Sequence, residues 1–257
     1  MRYGFALIAT VFLSVPAQSE AAVPVDFIGF EPHGPLARVT AGRIASPREN
    51  ACRSWAKRGS RWKALDRLGR VVGSARVSKL WRYDLTNCDE LTFDGPRGAG
   101  IFVRGPYQPL AIGSWTPKPS AGRELRRIIA RRDAKIPAMP ESSRESEKFS
   151  FEKRTIAFQV PGEAPRVVVG GRALTLLRWK KGRFEVELQE GFDVPDASIH
   201  EQCEFSYLPV AVLDMNGDGA IEIVVHEHTC DVYGDFTLIR DGARWRTIEA
   251  GISGAYA

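Results

Sequence analysis

Nine consecutive residues have the composition of an ion-binding loop. Asp214-Met215-Asn216-Gly217-Asp218-Gly219-Ala220-Ile221-Glu222 places oxygen-bearing side chains at loop positions 1, 3, 5 and 9, and a glycine at position 6. Calcium takes roughly six to eight oxygen ligands in an irregular shell, and this spacing lets one short loop wrap such an ion. Three carboxylates and one amide this close together repel one another unless a cation joins them. The competing reading is a plain Asn-Gly/Asp-Gly hairpin turn. Both readings need strands on either side, and aliphatic runs supply them: Leu208 to Leu213 before the loop and Ile221 to Val225 after it.

A second group follows directly. His226-Glu227-His228 puts two imidazoles on one face of the strand after the loop, with His200 upstream. Two such histidines are suitable donors for zinc or copper. The metalloprotease spacing H-E-x-x-H is not met, because Cys230 stands where the second histidine would be. Surface histidines at a strand end are the simpler reading. No G-x-S-x-G and no G-x-x-x-x-G-K-[ST] occurs, and nothing singles out a catalytic pair among the carboxylates near Glu201 and Glu204.

The elements that would position these groups are mostly strands. In Val71 to Val77 the odd positions are apolar or small, and the parity runs on to Trp81, Tyr83 and Leu85, with Lys79 out of step. Ile101-Phe102-Val103 is a further strand, and Arg183 to Leu188 alternates. Trp55, Trp62 and Trp81 are interleaved with arginines, a pattern that suits a strand core better than a base-stacking face. A short helix is expected from Ser46-Pro47-Arg48-Glu49 to about Arg58, and a longer basic one from Gly122 to Lys135. The longer helix should bury Leu125, Ile128, Ile129 and Arg132, and Glu141 to Lys148 reads as a linker.

A weak internal repeat has a period of 56 residues. It relates Ile156-Ala157-Phe158 to Val212-Leu213-Asp214, and Val167-Val168-Val169 to Ile223-Val224-Val225. An aliphatic strand, a glycine turn (Gly182; Gly242) and an aromatic strand (Phe184; Trp245) complete each copy. Two four-stranded units follow, at about the period of a propeller blade. The first has Pro161-Gly162-Glu163 where the second has the acidic loop, so only the second should hold an ion.

Leu213-Asp214-Met215-Asn216-Gly217-Asp218-Gly219 followed by Ile221-Glu222-Ile223-Val224-Val225 resembles the calcium-loop signature of FG-GAP or VCBS-type repeats, the blades of integrin-like β-propellers. The resemblance covers Leu208 to Ile248. It implies that Asp214, Asn216, Asp218 and Glu222 supply side-chain oxygens to calcium and that Ala220 supplies a backbone carbonyl. A single signature in a chain of this length points to a smaller assembly than a complete propeller. The expected fold class is mainly β: blade-like antiparallel sheets in a propeller-like or sandwich-like assembly, with one or two short helices.

The location follows from the first residues. Arg2, the apolar run Tyr3 to Val15 and the small residues around Ala17 and Ala21 have the layout of a secretory signal peptide. The run is shorter than the roughly 18 to 20 residues that a membrane span needs. The mature chain is expected to start near Gln18 or Ala22, to be secreted or periplasmic, and to have no transmembrane segment. The expected organisation is a signal peptide over 1–21, a basic β-rich region over 22–118, a basic helix and charged linker over 119–150, and a β region with the calcium loop over 151–257. Cys52, Cys88, Cys203 and Cys230 allow three disulfide pairings in an oxidising compartment. Cys203 and Cys230 flank the strand pair around the loop, so a bond there would staple it, leaving Cys52 for Cys88.

Charge is divided unevenly. Ala37 to Arg82 holds 13 Lys and Arg against 2 Asp and Glu, whereas Phe184 to Ala257 holds 3 against 15. The two halves can attract each other, or the basic half can meet an anionic surface or polyanion. These features together predict an exported calcium-binding protein, a binding or structural module of the cell envelope or extracellular space rather than an enzyme. The alternative is a secreted hydrolase of a glycan or phosphoester, with His226, His228 and nearby acids as its site.

Overall fold

Aliphatic runs with no polar alternation form strands where both faces of a sheet are covered. The runs beside the acidic loop are strands of this kind. The computed structural model describes residues 23–29, 34–47, 55–82, 89–134, 153–190, 206–228, 232–242 and 244–255. The expected signal peptide, the linker over 141–148 and all four cysteines lie outside the described residues.

Among the described residues there are three sheets and one helix, so the mainly β, antiparallel fold class holds. The N-terminal sheet consists of β1 (Val25–Ile28), β2 (Pro35–Thr40), β3 (Arg43–Ala45), β4 (Arg61–Leu65), β5 (Val71–Arg82), β6 (Asp89–Asp94) and β7 (Ile101–Arg104), in the order β3-β2-β1-β7-β4-β5-β6. A second sheet has β8 (Gly113–Ser114), β9 (Thr155–Gln159), β10 (Arg166–Val169), β11 (Leu174–Lys180) and β12 (Arg183–Glu190), and helix α1 (Pro119–Asp133) covers one of its faces. The third, which bears the loop, is the meander β13 (Ser206–Leu213), β14 (Glu222–His228), β15 (Val232–Asp241) and β16 (Arg244–Ala255).

The loop-bearing sheet lies between the other two. Ala211, Leu213, Val224 and Ile239 pack against Phe27, Leu36, Leu65 and Ile101 of the N-terminal sheet. Val212, Ile223, Val225 and Leu238 face the opposite way and pack against Ile156, Phe158, Val168 and Leu176 of the helix-backed sheet. Consecutive residues of β13 and β14 thus enter different cores, which is why these strands read as continuous aliphatic runs. Arg67, in the turn between β4 and β5, ties the layers together. Its Nη2 donates to the carbonyls of Lys153 and Pro209, and its own carbonyl accepts from Val212 N–H at 2.9 Å. At Gly170 the backbone comes so close to the loop-bearing sheet that a Cβ would lie 2.0 Å from the Tyr207 carbonyl oxygen, a position only glycine fills.

The 56-residue repeat is visible as topology. β9-β10-β11-β12 and β13-β14-β15-β16 are two four-stranded meanders with matching strand order. They differ by one residue in the first hairpin. Phe158 pairs with Arg166 beside the Pro161-Gly162-Glu163 turn, and Leu213 pairs with Glu222 beside the acidic loop.

Several sequence expectations need correction. The helix over Ser46 to Arg58 does not extend through its end, since Ala56 to Arg58 are irregular and Trp55 is fully buried; 48–54 lie outside the described residues. The basic helix starts three residues earlier than expected, with Pro119 in its first turn where a missing N–H costs nothing. It buries Leu125, Ile129 and Arg132 as expected. Lys79 is out of step because a bulge between Val77 and Lys79 reverses the parity of β5, turning Leu80 towards the core. Val186 is 57% exposed although Phe184 is buried, and β12 bulges directly after it, with Glu187 left out of the pairing to β11. Gly113–Ser114, in a stretch rich in glycine and proline, adds a short edge strand by pairing with Gln159 and Phe158.

Candidate functional site

The candidate site is the β13–β14 turn and the cleft it borders. β13 delivers Asp214 and β14 opens on Glu222, its first residue. The backbone reverses at Gly217 and Gly219, with φ of 75° and 83°, a left-handed conformation that favours glycine. Two of the loop carboxylates are deeply buried, Asp214 at 4% exposure and Glu222 at 2%, whereas Asp218 is exposed.

The loop organises itself around these side chains. Asp214 Oδ1 accepts from Gly217 N–H at 2.7 Å, and Oδ2 accepts from Gly219 N–H at 2.9 Å. Asn216 Oδ1 accepts from Asp218 N–H, and Asp218 Oδ1 from Ala220 N–H. Glu222 Oε2 accepts from Met215 N–H at 2.6 Å across the base. Closing the loop sets the register of the hairpin, with Leu213 opposite Glu222 and Val212 opposite Ile223.

All five predicted residues therefore sit on one turn. Their carboxylates do not meet at a point: among the described residues no group of three or more His, Cys, Asp or Glu is gathered as a metal cluster. Asn216 Nδ2 instead donates to Asp218 Oδ2 at 2.9 Å. The charge balance nevertheless suits a cation. No Lys or Arg makes an ion pair with Asp214, Asp218 or Glu222 among the described residues. Burial pushes the Glu222 carboxyl up to about 8; the Met215 N–H works against this, and the charges of Asp214 and Asp218 add to the rise. A buried carboxylate held this unfavourably is stabilised by an adjacent cation. The donor set, three carboxylates and an amide oxygen on a loop already bent, fits a hard divalent ion.

Tyr107 was not expected at this site. Its hydroxyl donates to the Gly69 carbonyl at 2.9 Å, and its ring packs edge-on against Phe27 at 5.7 Å. Burial, then the charges of Asp214, Glu222 and Asp66, hold that hydroxyl protonated well above the ordinary phenol range. Tyr107 and Asp214 line a cavity of about 220 Å³ on one side of the loop. On the other side a cleft of about 710 Å³ runs between β3 and the β15–β16 hairpin, with Asn216, Asp218 and Glu222 at one end. Arg43, Arg240 and Arg246 line it. Arg43 lies about 200 residues before the other two in sequence, so only the stacking of the sheets brings it to them.

His226 lies near the far end of β14. Its Nδ1 is 2.8 Å from Asp235 Oδ1, and both residues are buried between β14 and β15. The His228 side chain, His200, Glu201 and Glu204 lie outside the described residues, so the expected histidine group is described only through this pair. Comparison with known protein families, with curated proteins and with solved structures gave no match.

Proposed function

We propose that the chain is an exported calcium-binding protein, a binding or structural module of the cell envelope or extracellular space. The observation that carries this reading is the pair of buried carboxylates, Asp214 and Glu222, with no cationic partner among the described residues, on a loop bent at Gly217 and Gly219. Calcium would supply the missing positive charge and a flexible oxygen shell. Asp214, Asn216, Asp218 and Glu222 would hold it with side-chain oxygens and Ala220 with its carbonyl, as in the FG-GAP and VCBS-type loops that the segment resembles. The chain's own part is to fix the loop base through the Met215–Glu222 hydrogen bond and to anchor both strands in two cores.

Thermal melts in EDTA, calcium and magnesium, with calorimetric titration, test this. Affinity on the order of 10⁻⁴ to 10⁻³ M is expected, as in extracellular modules. Calcium at tenfold above the dissociation constant then stabilises the fold by about 1.4 kcal/mol. Identical melts in EDTA and several millimolar calcium, with no heat of binding, would overturn the reading.

Two further proposals concern partners and chemistry. Arg61 and Arg76 are exposed cross-strand neighbours on β4 and β5, and their like charges suit an anionic surface. Binding to acidic vesicles should then weaken steeply with salt. The hydrolase alternative draws on the His226–Asp235 pair, and a screen against ester, phosphoester and glycoside substrates tests it.

A further inference from the structure

The cleft beside the loop has features that calcium binding does not account for. Its volume of about 710 Å³ falls within the size range of small-ligand sites. Its charged lining mixes both signs, with Arg43, Arg240 and Arg246 facing Asp218 and Asp241, and Glu222 beside them. These groups come from four separate places, namely β3, the acidic loop with the start of β14, β15 and β16. Ile44, Ile239 and Ile248 give the cleft an apolar floor, and Ser46 and Thr247 add hydroxyl groups.

The arginines have capacity to spare. Arg43 makes no ion pair among the described residues. Arg240 Nε donates to the Gly242 carbonyl at 3.2 Å, and Arg246 Nε lies 3.9 Å from Asp241 Oδ2, a loose pair between exposed groups. The planar forks of the guanidinium groups suit a carboxylate or phosphate oxyanion. The lining then separates the two. A compact, highly charged phosphate would face the carboxylates of Asp218 and Asp241 as well as three arginines. A ligand with one carboxylate and several hydroxyls can use both sets, giving its acid group to the arginines and its hydroxyl protons to Asp241. Its less polar ring face can lie on the isoleucine floor.

We propose that this cleft binds a sugar acid, a saccharide bearing a carboxylate, with the acid group on Arg43, Arg240 and Arg246 and ring hydroxyls on Asp241, Ser46 and Thr247. In one respect it rests on the calcium reading: an ion in the loop removes the repulsion that Asp218 exerts on an acidic ligand. Calcium should therefore tighten binding of the sugar severalfold.

The test titrates the full mature protein with methyl glucuronoside, methyl glucoside and inorganic phosphate, each in calcium and in EDTA, while amide chemical shifts are followed by NMR. Calcium alone is titrated separately by calorimetry. The glucuronoside should bind at least about tenfold more tightly than the glucoside, which differs from it in lacking the carboxylate. Arg43→Ala and Arg246→Ala, both exposed and therefore harmless to folding, should each weaken it severalfold, and Arg127→Ala on the outer face of α1 should not. A glucuronoside that binds no better than the glucoside, or no better than phosphate, overturns the proposal, as does binding indifferent to both arginine substitutions. Normal calcium binding without sugar binding overturns this proposal alone. Arginine-dependent sugar binding, equal in EDTA and in calcium, from a protein that shows no heat with calcium supports the cleft and overturns the calcium reading instead.

Discussion

The Glu222 carboxylate accepts a 2.6 Å hydrogen bond from the backbone N–H of Met215, seven residues earlier, and so locks the base of the acidic loop. Met215 itself is buried in the core shared with the N-terminal sheet, so the base is fixed while Gly217, Asp218 and Gly219 at the tip stay exposed. A cation bound at the tip would meet oxygen groups carried on a fixed base.

The Asp214→Ala and Asp218→Ala variants should lose the calcium-dependent shift in melting, and His226→Ala should keep it. Asp214 also holds the two N–H groups of Gly217 and Gly219, so its removal should destabilise the protein even in EDTA, by about 1–3 kcal/mol. Asp218 is exposed and should cost little without calcium. Paired melts in EDTA and calcium separate the two effects.

Glu222 makes stability depend on pH in the absence of calcium. Its ordinary value is 4.5 and its folded value about 8. Below the lower value both states hold the proton. Between the two the folded state keeps it and the unfolded state has released it, so stability falls as pH rises, by no more than ~1.4 kcal/mol per pH unit. Above about 8 the fall levels off. Denaturant titrations in EDTA between pH 5 and 9 should show this slope, and Glu222→Gln should flatten it. Because the ion needs the carboxylate, calcium should release a proton on binding and stabilise more strongly at pH 8 than at pH 6.

Arg132 is a structural cation. Buried at the last turn of α1, it donates to the carbonyls of Val169, Ala173 and Gly170 and to Thr175 Oγ1, and it pairs with Asp133. Arg132→Met fills similar space but strands those acceptors, and should cost about 2–3 kcal/mol in equilibrium unfolding without changing calcium affinity.

Ser206 and His228 are register partners at the open end of the β13–β14 hairpin. Cys203 precedes the one and Cys230 follows the other within three residues. Non-reducing peptide mapping should find these two cysteines joined, and Cys52 with Cys88. Reduction should then lower stability by about 2–4 kcal/mol per bond.

Intact mass of the protein from a secreted or periplasmic fraction should lack roughly the first 17 to 22 residues. A chain that retains Met1 would contradict export.

The acidic loop and its two strands were legible because each part has a local signal: oxygen side chains at fixed spacing, glycines at the reversal, aliphatic runs on either side. The repeat was legible for the same reason, since a meander is built from neighbours in sequence. The bulge that turns Leu80 inward has no local signal beyond the misplaced Lys79. The short strand Gly113–Ser114 has none, because its pairing with Phe158 and Gln159 uses only backbone groups. Arg43, Arg240 and Arg246 look like ordinary surface charges until two sheets bring them to one cleft.

The position of the loop-bearing sheet sets an order of assembly. Both meanders close through hairpins between adjacent segments, whereas the N-terminal sheet needs β1 to meet β7, with Phe27 paired to Val103. Short-range pairings form sooner than long-range ones. The inner face of the N-terminal sheet, with Phe27, Leu36 and Leu65, packs on Val210, Ala211 and Leu213, which leave the ribosome more than 100 residues later. The N-terminal sheet, made earlier than the meander it packs on, thus waits for its partner surface until that meander has been made.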